Sequence, residues 1–276
     1  MKRARLFRVG HGIVWLLVAA DLALLAWIFV TSLRDTQSIF SEPFGLPVPP
    51  QGGNWAKAWA EGGFGTAALN SVMVAALSSL VAVALAAPAA YALARRRTRT
   101  SNALTMTFAL GLGVPGQVLL VPLFVGLAAV ELTDSFIGLT VVYIGLAMPF
   151  TVYLLTGFFA GIPVVLEEAA AIDGASGLRA FVRVVLPVAR GGLITAFLLQ
   201  FIGAWNETLF AIALMTSDEK ITLPVALVNF VGLQQYAGRD WGTMFAGICI
   251  ILAPMVALFS WLGTRIIQGM TVGIGK

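Results

Sequence analysis

Six long apolar stretches constrain this sequence more than any other feature does. They lie at approximately residues 13–33, 66–94, 103–130, 136–160, 191–215 and 243–264. A helix needs about 20 apolar residues to cross the hydrocarbon core of a bilayer. With 59% hydrophobic and 11% charged residues, the chain is also too apolar for an ordinary soluble domain. The sequence therefore predicts an all-α polytopic membrane protein with six transmembrane helices.

The distribution of lysine and arginine predicts the orientation of these helices. Of the 17 basic residues, thirteen lie in an N-terminal segment (1–12), in the loops after the second and fourth stretches, and in a tail (265–276). Loops on the cytoplasmic side are enriched in lysine and arginine. We therefore expect both termini to be cytoplasmic, on either side of a permeation domain at 13–264 whose core is about 66–264. This asymmetry explains the net charge of +4, so the charge does not indicate a nucleic-acid partner.

The most distinctive polar segment lies in the central loop, residues 161–190. Three alanines (169–171) follow two acids there, favouring a helix with a thin face that another protein can approach. Gly174 permits a sharp turn, and a second short helix at 178–185 would place Arg179 and Arg183 on one face. Pro187 marks the return of the chain to the membrane. The segment predicts a helix–turn–helix at the bilayer surface that docks onto a partner.

The spacing of Glu168-Ala169-Ala170, Gly174, Val184 and Leu186-Pro187 resembles the EAA loop of ABC-importer membrane subunits, with Val184 in place of the usual isoleucine. The resemblance implies a type I importer permease fold whose loop is a cytoplasmic coupling helix seated in a cleft of an ATPase subunit. An interfacial amphipathic helix without a partner is the alternative. The coupling residues implied by the resemblance are Glu167, Glu168, Ala169, Ala170, Asp173, Gly174, Arg179, Arg183 and Pro187.

The resemblance covers nearly the whole chain and points to the carbohydrate-importer branch of the family. The phrases at 69–71, 89–95 and 269–276 are similar to that branch, where the tail inserts between the ATPases; Met270 stands here for a leucine. The implied partners are a second, homologous permease in a heterodimer, two ATPase subunits that bind ATP and Mg, and an extracytoplasmic solute-binding protein. The implied location is a bacterial or archaeal cytoplasmic membrane. This chain itself would bind no cofactor.

Polar residues in the fifth stretch are candidates for the substrate pathway. They are Gln200, Trp205, Asn206 and Glu207. An acid inside a span is costly unless it is paired or faces the bundle interior. A polar group beside an indole suits either a hydroxyl-rich ligand or a hydrogen bond between helices, and both interpretations remain open at this stage.

Residues 216–242 are predicted to form a sizeable outer loop. By resemblance it would reach into the binding protein, although a simple connector is the alternative. The candidate contact residues are Leu223, Pro224, Gln234, Gln235 and Tyr236.

The sequence also lacks the patterns of several enzymes. No stretch fits the phosphate-binding pattern G-x-x-x-x-G-K-[ST], so the chain is not expected to hydrolyse ATP itself. Cys249 is the single cysteine, which argues against a disulfide framework or a thiolate metal site. Gly174-Ala175-Ser176-Gly177 imitates an intramembrane serine protease, but no histidine is near to act as base. The remaining rivals are an importer for glycerol phosphate or a polyamine, and a stand-alone secondary carrier, which would show inverted repeats.

Overall fold

The computed structural model describes residues 2–96, 98–236 and 240–272, with side chains described for 11–96, 98–234, 240–257 and 260. Within these ranges the chain is helical and contains no strand, which confirms the all-α prediction. A 3-10 turn (Gly116–Leu119) precedes α6, and a π turn (Phe181–Val185) separates α9 from α10. The helices are α1 (Lys2–Ser32), α2 (Thr36–Ser41), α3 (Gly53–Gly62), α4 (Phe64–Arg95), α5 (Arg99–Gly111), α6 (Leu120–Ala129), α7 (Phe136–Ala160), α8 (Val165–Ile172), α9 (Gly177–Ala180), α10 (Leu186–Val188), α11 (Arg190–Asn206), α12 (Leu209–Leu214), α13 (Leu223–Tyr236) and α14 (Trp241–Val272).

Three of the described helices are long and apolar enough to cross a membrane: α1 from His11 onwards, α4 and α7. Two bent pairs raise this number to five if each pair is one span. One pair joins the helices on either side of residues 112–115 at an angle of 92°, and the other joins Gly177–Val188 to α11 at 73°. The described apolar parts of α13 and α14 are shorter. The count of six spans and the domain limits therefore stay predictions.

Two predicted spans are interrupted where the backbone becomes extended inside the apolar stretch. The third stretch (103–130) is not one helix, because Pro115 has extended backbone (φ −61°, ψ 122°) and lacks the N–H that a helix needs. The fifth stretch (191–215) ends early at Asn206. Glu207 has extended backbone (φ −70°, ψ 127°), and the short helix α12 follows it.

The predicted outer loop at 216–242 is wrong over Leu223–Tyr236, which forms the 14-residue helix α13. Leu223-Pro224 begins the helix. A proline is tolerated in the first turn, where its missing N–H would have no helical partner. Buried apolar side chains such as Phe230 then give the helix a packed face.

The described chain divides into two compact units. The first contains residues up to Gly65 together with Ala226–Val256. Its core includes Phe64 and Phe230, whose rings meet edge to face with centroids 5.3 Å apart. A β-carbon at Gly247 would lie 2.7 Å from the Phe230 ring, so glycine is required for this close approach.

The second unit contains Thr66–Val225 and the described residues from Ala257. One core cluster joins α4, α7 and α11 around Phe159, Val185 and Ala196. Another joins α7 to α12 around Leu139 and Phe210.

In the second unit, hydrogen bonds and an ion pair join Asp134, which precedes α7, to residues 216–220, which follow α12. The Asp134 carboxylate accepts hydrogen bonds from the backbone N–H groups of Thr216 (2.9 Å) and Ser217 (3.0 Å). Lys220 Nζ lies 2.9 Å from Asp134 Oδ2. The Ser217 hydroxyl and the Lys220 ammonium hold the pKa of the Asp134 carboxyl well below its usual range.

Candidate functional site

The segment between α7 and α11 folds as a helix–turn–helix. Glu167 and Glu168 lie in the first turn of α8, where acids interact favourably with the helix dipole. The helix ends at Gly174, whose φ is +79°. Gly174 N–H donates to Ala171 O at 3.0 Å, and Ala175 N–H donates to Ala170 O at 2.9 Å. These two bonds and the left-handed glycine form a Schellman motif, which explains why the turn needs glycine.

The second helix of the segment is less regular than predicted. Gly177–Val188 is helical, but its middle part, Phe181–Val185, is a π turn. Arg179 and Arg183 are both exposed. Pro187 lies inside α10, and the chain changes direction after it, at Ala189, the residue before α11. An apolar helix follows Pro187, and the return of the chain to the membrane at Pro187 stays a prediction.

One side of this helix–turn–helix exposes apolar side chains. Ile172 is 87% exposed and Leu178 74% exposed, and Glu168 and Ala169 beside them are also exposed. Clusters of exposed apolar side chains next to polar residues are typical of protein interaction sites. We define the docking face as Glu168, Ala169, Ile172 and Leu178.

The opposite side of α8 is fixed by two residues from the end of α4. The Glu167 carboxylate accepts a hydrogen bond from Tyr91 Oη on Oε2 and one from Arg95 Nε on Oε1, both at 2.6 Å. Arg95 also donates to Phe159 O (2.7 Å), in the last turn of α7, and to Ile162 O (3.1 Å), two residues after α7 ends. The side chains of Arg95 and Glu167 are only 14% and 16% exposed. We call Tyr91, Arg95 and Glu167 the clamp.

The clamp continues into an aromatic cluster that includes the second helix of the loop. The Tyr91 ring lies 4.6 Å from the Phe181 ring and 5.8 Å from the Phe159 ring, measured between centroids. Sequence reasoning missed this cluster and used Arg95 only as a marker of orientation and as part of the phrase at 89–95 that resembles the carbohydrate-importer branch. The available signal was a tyrosine and an arginine four residues apart at the end of an apolar helix, where both can face the same acid.

A small polar cavity of about 180 Å³ lies among α4, α7 and α11. Two of the predicted pathway residues, Gln200 and Glu207, line it. Trp205 is buried and stacks on Phe201 with centroids 6.0 Å apart, and neither it nor Asn206 lines the cavity. The lining residues are Ser78, Ser79, Tyr143, Leu146, Ala147, Gln200, Gly203, Ala204 and Glu207.

The polar side chains of this cavity differ in the number of hydrogen bonds that they make within the chain. Glu207 accepts three hydrogen bonds, from Tyr143 Oη (2.7 Å) and from the backbone N–H groups of Phe210 (2.9 Å) and Ala211 (3.1 Å), so it caps α12. Gln200 Nε2 donates to Thr151 Oγ1 at 2.9 Å. Ser79 Oγ is buried and has no hydrogen-bond partner among the described residues.

Two of the predicted binding-protein contacts are buried within the chain. Leu223 is 1% exposed, and its N–H donates to Ser71 Oγ at 2.7 Å. Gln234 is 5% exposed and donates to Glu61 Oε2 at 2.8 Å. Their side chains are therefore not presented to a partner, whereas Pro224 is partly exposed. The side chains of Gln235, Tyr236 and Met270 and the final residues 273–276 lie outside the described part of the chain.

Comparison with known proteins places these features in a family. Residues 82–272, which include the clamp, the loop and the cavity residues from α7 onwards, match the family described as binding-protein-dependent transport system inner membrane component. The chain is 32% identical over 269 residues to a diacetylchitobiose uptake system permease protein of Streptomyces coelicolor, covering 98% of this chain and 89% of that protein. It is 35% identical over 261 residues to a trehalose transport system permease protein of Mycobacterium tuberculosis, covering 95% and 94%.

The fold is also found in a solved structure. A bacterial ABC transporter involved in the import of the acidic polysaccharide alginate contains a chain that matches with a TM-score of 0.79 at 22% identity, covering 96% of this chain and 98% of that one. The family match spans the helix–turn–helix and most of the apolar helices, and two relatives exceed 30% identity over nearly their whole length. This chain therefore belongs to the inner membrane components of binding-protein-dependent ABC transport systems.

Proposed function

We propose that this chain is the transmembrane permease subunit of an ABC importer that brings a carbohydrate into the cytoplasm. The similarity to permeases named for diacetylchitobiose and trehalose supports a carbohydrate as the solute. The observation that carries the proposal is the docking face on the helix–turn–helix between α7 and α11. The sequence contains no phosphate-binding G-x-x-x-x-G-K-[ST] pattern, so ATP and Mg are bound and hydrolysis is performed by partner ATPases.

The docking face would seat α8 in a cleft of one ATPase subunit. Closure of two ATPase subunits around ATP then displaces α8, and the membrane helices change between inward-open and outward-open states. Nucleotide and loaded binding protein act by favouring different states of this equilibrium. The exposed Arg179 and Arg183 lie on the second helix, where they add positive charge to the same surface.

Membership of the family supports the assembly that we propose for this mechanism. The assembly contains a second, homologous permease in a heterodimer, two ATPase subunits and an extracytoplasmic solute-binding protein. Six spans with both termini in the cytoplasm, in the cytoplasmic membrane of a bacterium or archaeon, place the docking face on the side of the ATPases. Apolar side chains exposed on α6, such as Val121, suit lipid or the second permease.

The polar cavity supplies a place where the solute would contact this chain. Ser79 Oγ offers an unused donor and acceptor, since it is buried and has no hydrogen-bond partner in the described part of the chain. A buried hydroxyl without a hydrogen bond costs about 1–3 kcal/mol, and a sugar hydroxyl could satisfy it. Glu207 and Gln200 then shape the cavity through their bonds to Tyr143 and Thr151.

Purification in mild detergent from the native membrane tests the assembly. We expect an ATPase, a second permease and a binding protein to accompany this chain in mass spectrometry. The complex is then reconstituted in proteoliposomes with its binding protein, and ATP-driven uptake is measured for labelled trehalose and diacetylchitobiose. Unlabelled glycerol 3-phosphate and spermidine serve as competitors. Competition by sugars alone supports a carbohydrate importer, competition by spermidine or glycerol 3-phosphate points to a non-sugar solute, and a chain that purifies without an ATPase indicates a stand-alone carrier.

A further inference from the structure

A single turn of α4, residues 91–95, contacts α8, the end of α7 and the second loop helix. Arg95 donates both to α8, through Glu167, and to Phe159 O in the last turn of α7 and Ile162 O just after it. Tyr91 donates to Glu167 and stacks near Phe181 of the second loop helix. The ends of α4 and α7, helix α8 and the second loop helix therefore meet at residues 91–95.

The two neighbouring acids of α8 have different surroundings. Successive residues of a helix point about 100° apart, so Glu167 and Glu168 face different directions. Glu167 is held by the clamp with its side chain 16% exposed, whereas Glu168 is exposed on the docking face. One side of α8 thus suits a partner, and the other is fastened to the chain's own membrane helix.

The same helix that carries the clamp also carries the serines of the polar cavity. Sixteen residues separate Arg95 from Ser79, and at 1.5 Å per residue this is about 24 Å along α4. Pro88 lies inside α4 between these two sites. A proline removes one helical hydrogen bond, so α4 bends most easily there. A displacement at residue 95 therefore reaches the cavity through one continuous element with one defined bending point.

We propose that the clamp transmits the movement of α8 to α4, and through α4 to the cavity. Tyr91, Arg95 and Glu167 are positioning residues, since they touch neither the ATPase surface nor the cavity. In this arrangement α8, the second loop helix and the ends of α4 and α7 move as one body when the ATPases close. The proposal rests on the proposed function, because it presupposes an ATPase that pulls on the docking face.

The test compares solute imported with ATP hydrolysed in reconstituted complexes. Glu167→Gln keeps the shape of the side chain but removes the charge that Arg95 bonds. We expect the complex to assemble with its ATPase and to hydrolyse ATP, while solute imported per ATP falls. Coupling free energies between sites correspond to about 5- to 150-fold effects, so a loss of at least about fivefold is expected. Tyr91→Phe keeps the ring and should produce a smaller loss in the same direction.

Matched variants distinguish loss of the movement passed from α8 to α4 from weaker binding of the ATPase and from the loss of any positive charge. Arg96→Met removes a neighbouring, exposed positive charge and should import normally, whereas Arg95→Met should behave like Glu167→Gln. Glu168→Gln lies on the docking face and should weaken association with the ATPase instead of lowering solute imported per ATP. Arg95→Met combined with Glu167→Gln should import as much solute per ATP as Arg95→Met alone, because Arg95→Met already removes the Arg95–Glu167 contact.

Three results would overturn the proposal. One is an equal effect of Arg95→Met and Arg96→Met. Another is a Glu167→Gln complex in which import and ATP hydrolysis fall together with the yield of assembled complex, as expected of a residue needed only for folding. The third is unchanged solute per ATP in Glu167→Gln. Failure of the proposed function shows itself separately, as a wild-type complex without ATP-driven sugar uptake, and it would remove the basis of both proposals.

Discussion

The left-handed glycine of the loop allows a quantitative prediction. Gly174 has a φ of +79°, and a β-carbon built on it meets no atom within 4 Å. The cost of Gly174→Ala is therefore a backbone cost alone, about 1–2 kcal/mol for a residue with a β-carbon in this region. Such a cost raises the ratio of opened to closed turn about 5- to 30-fold. Gly174→Asn should cost less, because asparagine adopts this conformation more readily than alanine does.

Hydrogen exchange of the assembled complex measures this cost directly. The amides of Gly174 and Ala175 donate the two hydrogen bonds that close the turn. In Gly174→Ala we expect these amides to exchange about 5- to 30-fold faster than in the wild type, with Gly174→Asn between the two. Import per ATP should fall in the same order, because a frayed turn loses the shape of the docking face.

Gly177→Ala is the matched control for this series. Gly177 is the first residue of α9, a β-carbon there also meets no atom within 4 Å, and its φ is not left-handed. Alanine is favoured over glycine inside a helix by about 1 kcal/mol, so exchange should be unchanged or slower. Equal exchange in Gly174→Ala and Gly177→Ala would refute the assignment of strain to Gly174.

Three further predictions concern a charge at the same glycine, the cavity serine and Asp134. Gly174→Asp should leave the chain inserted in the membrane but lower import per ATP, and normal import by this variant would contradict the docking model. Ser79→Ala should reduce sugar uptake about 2- to 10-fold, as loss of one neutral hydrogen bond of about 0.5–1.5 kcal/mol does, without lowering the thermal midpoint of the solute-free complex. Ser78→Ala is its control, because Ser78 Oγ already bonds Ala75 O at 3.3 Å; equal uptake by the two variants would argue against solute contact at Ser79. Asp134→Asn should lower the thermal midpoint at neutral pH. Because the pKa of Asp134 is depressed in the folded chain, its contribution is complete above the ordinary value of 3.8 and declines as the pH falls below it, so wild type and variant should converge in acid.

Features that depend on local spacing were predictable from the sequence. The structure has a helix at the alanines of α8 and a Schellman turn at the glycine that follows them. It also has helices over most of the apolar stretches. The family match agrees with the resemblance that the loop carries.

Features that depend on contacts between distant residues were not predictable in this way. The clamp joins residues 72 and 76 positions apart, and nothing in the sequence around Arg95 states which acid it will face. The same applies to Ser79, whose lack of a hydrogen-bond partner within the described ranges is a property of the packing around it. The error at 223–236 has a local cause, because Leu-Pro is compatible both with a turn and with the first turn of a helix, and the buried side of α13 decides between them.

The two-sided character of α8 has a consequence for how such subunits diversify. The residues that hold α8 to the chain lie on one side, and the residues of the docking face lie on the other. Substitutions on the docking face can therefore accumulate without loss of folding, so the choice of ATPase can change independently of the choice of solute. Permeases for different sugars could share one ATPase by keeping only this small surface alike. Exchanging Glu168, Ala169, Ile172 and Leu178 for their counterparts in another importer should then redirect the chain to that importer's ATPase.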